Sequence, residues 1–133
     1  MQNRDLSVYK LDNRSRQIYY FIGGSLVIFI VVKFKTKLEW TDKWLDLIND
    51  FTLATREEPG NLWFEWSQSS EDPSTFVLVE AFEEDGAVPH VNSDHFKKAM
   101  SDMPQALAET PRIINTTIEG ANDWSLMGEL AVD

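Results

Sequence analysis

The chain has 133 residues, 12 Lys plus Arg against 22 Asp plus Glu, two His and no Cys, for a formal net charge of −10. That length suits one domain, and 43% hydrophobic residues with 12% aromatic side chains exclude disorder as the general state. The acidic balance argues against binding a phosphate backbone, and the missing cysteines remove disulfides, thiolate catalysis and Cys-based zinc sites.

Residues 1–26 carry four basic side chains (Arg4, Lys10, Arg14, Arg16) and two acidic ones (Asp5, Asp12), whereas the rest is strongly acidic. This segment reads as an N-terminal extension, either an added strand or a stretch from the gene start. One arrangement for it is a hairpin in which Gln17–Ile22 turns at Gly23-Gly24 back onto Leu26–Phe34. The apolar run Ile18–Val32 is too short for a spanning helix and is interrupted by Gly23, Gly24 and Ser25. It has no small-residue cleavage site, and its β-branched end favours a buried strand over a membrane or export segment. The expectation is a cytoplasmic protein that engages neither membrane nor nucleic acid.

Leu26–Lys35 predicts a continuous apolar strand covered on both faces. Trp40, Trp44, Leu47, Ile48, Phe51 and Thr55 recur at helical spacing, and Glu58-Pro59-Gly60 ends that helix. Leu62–Ser67 and Thr75–Phe82 form a hairpin through a link holding Asp72-Pro73. Ser93 caps a second helix with the apolar face Phe96, Ala99, Met100, Met103 and Leu107, which Pro104 kinks or splits. Arg112–Ile118 is the last strand. A tail over 119–133 carries Trp124, Leu126, Met127 and Leu130. The order β-α-β-β-α-β is an α+β, ferredoxin-like arrangement, a four-stranded antiparallel sheet with helices on one face.

Thr75–Phe82 is apolar on both faces: Phe76, Leu78, Glu80 and Phe82 on one, Val77, Val79 and Ala81 on the other. Two helices cover one face only. The other is expected to meet a second copy of the chain, with the tail packing on that partner, so a homodimer is favoured over a monomer with a wet sheet.

The ordered set Glu58-Pro59-Gly60, Leu62–Trp66, Asp72-Pro73, Phe76-Val77-Leu78-Val79-Glu80, His90 and Ser93-Asp94-His95-Phe96 resembles the antibiotic biosynthesis monooxygenase domain. The likeness runs over about residues 27–118. It implies ferredoxin-like domains that pair into a dimeric α/β barrel. It also implies one of several activities: cofactor-free oxygenation of polyketide-type phenols and quinols, heme degradation, or isomerisation of small sugar-derived signals. The heme-degrading branch would need a His near Met100, a Trp at Phe82 and an Asn near Lys33 or Phe34, and all three are missing. Leu38 stands where a turn-forming Pro is common in the family.

A cofactor-free oxygenase needs an apolar pocket, a base or hydrogen-bond acceptor, and a proton donor. Glu80, in mid-strand among apolar residues, is the candidate acceptor; its alternative is a pairing with a Lys or Arg, or a backbone bond, across the dimer. His90 is the candidate proton relay, or a residue that orders its loop. For substrate contact the candidates are Phe34, Trp63, Trp66, Asn92 and His95. Opposite strand parity keeps Trp63 and Trp66 from lining one wall. His95 suits packing or the surface as well, and Asn92 suits a loop cap. Neither His has a second ligand at workable spacing in the sequence and no Gly-rich phosphate loop exists, so no metal and no cofactor is expected. Three classes stay open: a cofactor-independent monooxygenase using O2 on a small aromatic or quinol, a non-oxidative isomerase or ligand-binding dimer, and a dimer without chemistry.

Overall fold

The computed structural model describes residues 26–133, together with the backbone of 9–11 and 18–20. Two short strands, β1 (Tyr9–Leu11) and β2 (Ile18–Tyr20), pair antiparallel with each other. The principal sheet is built from β3 (Leu26–Lys35), β4 (Asn61–Gln68), β5 (Thr75–Glu83) and β6 (Arg112–Glu119), all antiparallel, in the order β4-β5-β3-β6. Both edges of β3 are therefore occupied, by β5 and β6, and no edge remains for Gln17–Ile22. Within the extension Ile18–Tyr20 pairs with Tyr9–Leu11 instead, while the Gly23-Gly24 turn lies outside the described residues.

The first helical stretch is broken into a 3-10 turn (Leu38–Lys43), α1 (Trp44–Leu47) and α2 (Asn49–Arg56). After β5 comes a short helix that the sequence pattern did not announce, α3 (Ala87–Val91), and then α4 (Asp94–Asp102). Ser93 caps α4 as expected, its hydroxyl accepting the Phe96 N–H. Pro104 splits the helix, since a 3-10 turn at Met103–Ala106 replaces further α-helix. The β-α-β-β-α-β order is thus the ferredoxin-like one expected.

Alternation along the strands sends Ile30, Val32, Phe34, Phe64, Phe76, Leu78 and Phe82 toward the helices, where they meet Trp44, Ile48, Phe51, Ala99 and Met103. Trp44 is fully buried, against Phe34, Trp66 and Phe76 at ring distances of 5.3, 5.9 and 6.1 Å. Met100, assigned to the apolar face of α4, is instead 45% exposed, because Ala99 and Met103 already fill the side toward α2. On the opposite sheet face Ala81 is fully buried and Val77 and Val79 are half-buried. There Trp63 packs on Phe29 and on Trp124 of the tail, with rings 6.3 and 5.7 Å apart. Within the tail Trp124 thus meets Trp63 of the same chain, while Leu126, Met127, Leu130 and Val132 are exposed.

Candidate active site

Two glycines set the site. A Cβ on Gly60 would lie 2.6 Å from Gly86 Cα, and one on Gly86 would lie 2.7 Å from Gly60 O, so neither position tolerates a side chain. The backbone bonds Glu83 N–H to Gly60 O and Gly86 N–H to Glu83 O close this crossing at 2.8 Å each. The turn after α2 is thereby clamped to the start of α3. Glu58, two residues before the clamp, meets His90, four residues after it.

Glu58 Oε2 accepts from His90 Nδ1 at 2.7 Å and from His95 Nε2 at 2.6 Å. A carboxylate oxygen can only accept, so both imidazoles present N–H at these atoms, leaving His95 Nδ1 as the basic nitrogen of a neutral ring. His90 is 4% exposed and boxed by Phe82, Phe96 and Phe51 at ring distances of 4.6, 5.1 and 5.7 Å. His95, on the first turn of α4, is half-buried. The second oxygen of Glu58, Oε1, is buried without a hydrogen-bond partner among the described residues.

Glu80 faces the same layer, in register with Ile30 on one side and Phe64 on the other, and is 7% exposed. It meets no cation among the described residues. Burial first, then repulsion from Glu58, push its carboxyl from the ordinary 4.5 up to about 7.

Two concavities flank the cluster. A cleft of about 170 Å³ between α2 and α4 is walled mainly by Leu47, Phe51, Ala99 and Met103, with His95 in its lining and Asp50, Lys98 and Asp102 among its remaining residues. A second, of about 290 Å³, has Glu58, Glu83 and Asp85 in its wall beside Gly60 and Gly86. The apolar cleft is smaller than the ~300 Å³ usual for ligand pockets, so a ring system would need α2 and α4 to part.

Of the predicted residues, Glu80, His90 and His95 are brought to one region; the rest are not. Phe34 is core, 7% exposed, and Trp66 belongs to the same aromatic stack, its Nε1 donating to Thr52 Oγ1 at 2.9 Å. Trp63 is on the opposite sheet face, as parity required. Asn92 is exposed and caps the end of α3. Glu58 reads in the sequence as a helix terminator, and its side-chain role is invisible there, since its partners stand 32 and 37 residues away. Sequence spacing gives neither His a second ligand, whereas in three dimensions one donor atom each from Glu58, His90 and His95 lie within 4.8 Å of one another.

A family model described as antibiotic biosynthesis monooxygenase matches residues 27–102. Among solved structures, a conserved protein from Methanosarcina mazei superposes with a TM-score of 0.65 at 25% identity, covering 68% of this chain and 91% of its own. A structure named antibiotic biosynthesis monooxygenase gives 0.62 at 20% identity, with 67% and 95% covered. A protein from Shewanella oneidensis gives 0.65 at 21%, with 71% and 93% covered. No curated protein matches the chain.

Proposed function

The chain belongs to the antibiotic biosynthesis monooxygenase family, and from that premise we propose that it is a cofactor-independent monooxygenase of a small aromatic, quinol or polyketide-type substrate. The observation that carries this reading is His95: it lines an apolar cleft and is hydrogen-bonded behind to the half-buried carboxylate of Glu58. A carboxylate on Nε2–H orients the ring and stabilises the imidazolium formed when Nδ1 takes a substrate proton. Deprotonation makes a phenol or anthrone electron-rich enough to reduce O2 itself. At a reactive methylene, one oxygen atom of O2 becomes the carbonyl oxygen and the other leaves as water with the two methylene hydrogens. The step balances with all four electrons drawn from the substrate. Glu80, its carboxyl pushed up to about 7 by burial and by Glu58, serves as the second proton store.

Oxygen uptake by the metal-stripped protein with a panel of anthrones and quinols tests this. Uptake that falls roughly 10²-fold or more in folded His95→Ala and Glu80→Gln variants supports it. Exchange of a carbon-bound hydrogen for solvent deuterium, with no uptake on any member, would assign the site to a non-oxidative isomerase. The same carboxyl–imidazole groups suit that chemistry.

The open sheet face and the exposed tail residues support a homodimer, with an interface above the ~1,000 Å² of a stable contact. Light scattering that finds a 15.3 kDa species at micromolar concentration would remove it. The same reading places the enzyme in the cytoplasm, acting on a diffusible substrate. No helix among the described residues is long and apolar enough to cross a membrane.

A further inference from the structure

Glu58, His90 and His95 offer one carboxylate oxygen and two imidazole nitrogens, all within 4.8 Å. They come from three separate segments: the turn after α2, the short α3, and the first turn of α4. This donor set suits borderline divalent transition ions such as Zn2+, Ni2+, Co2+ and Fe2+, and is poor for Mg2+ and Ca2+, which prefer all-oxygen shells. The present bonds of 2.6 and 2.7 Å between donors are hydrogen bonds. Metal–ligand distances of about 2.0–2.2 Å place neighbouring donors roughly 3–3.4 Å apart, so the two Glu58–imidazole contacts must widen and the two imidazole nitrogens, now within 4.8 Å, must settle at that spacing.

Two further features point to a cation. Glu58 Oε1 is buried with no hydrogen-bond partner among the described residues, a desolvated acceptor that its two imidazole neighbours leave bare. The 290 Å³ concavity that Glu58 helps to line is walled by Glu83 and Asp85 as well, which gives the carboxylate member of the cluster an acidic surrounding that favours a cation. Aromatic rings around His90 hold one ligand rigidly, so little ordering remains to be done on binding.

We infer that Glu58, His90 and His95 form a binding site for one divalent transition-metal ion, exclusive with the hydrogen-bonded state of the same three groups. Ion binding requires the lone pairs of His90 Nδ1 and His95 Nε2, so each neutral ring must carry its hydrogen on the other nitrogen. The metal-bound chain therefore loses the His95 tautomer that the proposed oxidation uses. The inference goes beyond that reaction and does not depend on it.

The test is calorimetric titration of the chelator-stripped full chain with ZnCl2 and NiCl2, with MgCl2 and CaCl2 as comparisons. One equivalent of Zn2+ or Ni2+ per chain, a melting temperature raised by several degrees, and no comparable effect of Mg2+ or Ca2+ are expected. Co2+ should give the visible absorption bands of a mixed nitrogen–oxygen site. His95→Ala and Glu58→Gln should each weaken Zn2+ binding by more than the 10–100-fold typical of an outer-shell partner. Absence of stoichiometric binding by the unaltered protein overturns the site whatever the variants do. Equally, binding of unchanged affinity in a folded His95→Ala protein places the ion elsewhere and overturns it. Zinc binding without oxygen uptake on any stripped sample leaves the metal site standing and the oxygenase reading fallen. Uptake without zinc binding does the reverse.

Discussion

The two faces of the sheet carry similar numbers of apolar side chains and meet different surroundings. Toward the helices, Phe34, Phe64, Phe76, Leu78 and Phe82 are at most 7% exposed, and the carboxyl of Glu80 is set among them. On the other face, Val77, Val79, Phe29 and Trp63 are half-buried, and the Trp124 that lies against Trp63 is itself 65% exposed. Apolarity alone does not close a face; a second layer does. Only where the layer is complete does desolvation lift a carboxyl to about 7. The candidate site therefore sits on the closed face, and the proposed dimer contact on the open one.

The largest expected effect removes the middle of the closed face. Trp44→Ala should cost about 3–5 kcal/mol, the range for deleting a buried aromatic ring, as read from urea denaturation. A loss below ~1 kcal/mol would mean that the aromatic stack is not what holds the helices to the sheet.

Glu80 sharpens the contrast through pH. Its carboxyl titrates near 7 when folded and near 4.5 when unfolded, so between these values the folded chain holds a proton that the unfolded chain has lost. Stability should therefore decline as pH rises from about 4.5 to 7 and stay lowered above it, by on the order of 3 kcal/mol. Glu80→Gln should abolish that decline, melting higher than the parent at pH 8 and about equally at pH 4. Parallel melting curves for the two proteins across this window would show that Glu80 has a partner.

The clamp below the closed face comes next. Gly60→Ala sets a methyl 2.6 Å from Gly86 Cα, where backbone rather than a flexible side chain must yield. A loss of roughly 1–3 kcal/mol is expected, as for other overpacked sites. Glu58 should also part from His90, visible as altered imidazole resonances in nuclear magnetic resonance. Retention of both stability and the imidazole signals would detach the clamp from the site.

Least affected should be the open face. Trp124→Ala removes one aromatic pair from a surface that solvent already reaches, at about 0.5–1.5 kcal/mol, with a change in Trp63 fluorescence. A cost rivalling that of Trp44→Ala would make the two faces equivalent.

Local sequence carried the strands and helices because their causes are local. Alternation in Thr75–Phe82 sent Glu80 inward among Phe76, Leu78 and Phe82, Ser93 supplied its cap, and Pro104 ended α4. The opposite parities of Trp63 and Trp66 likewise separated them correctly onto two faces. Two residues of a strand need only be counted to be assigned a face.

The site was legible only in part, since Glu80, His90 and His95 stood out as titratable residues and Glu58 did not. Nothing within a few residues of Glu58 marks it as more than the end of a helix. Its two imidazole partners arrive from 32 and 37 positions further along. They arrive because the bare backbones of Gly60 and Gly86 can touch, and because β4 and β5 return the chain to that point. Phe34 and Trp66 erred in the opposite direction: each has the chemistry of a substrate wall, but Trp44 fills the space beside them. Side-chain type and face are properties of a short stretch of chain. Which acceptor meets which donor, and which ring is walled in by another, depends on contacts distant in sequence, and those only the packed tertiary structure decided.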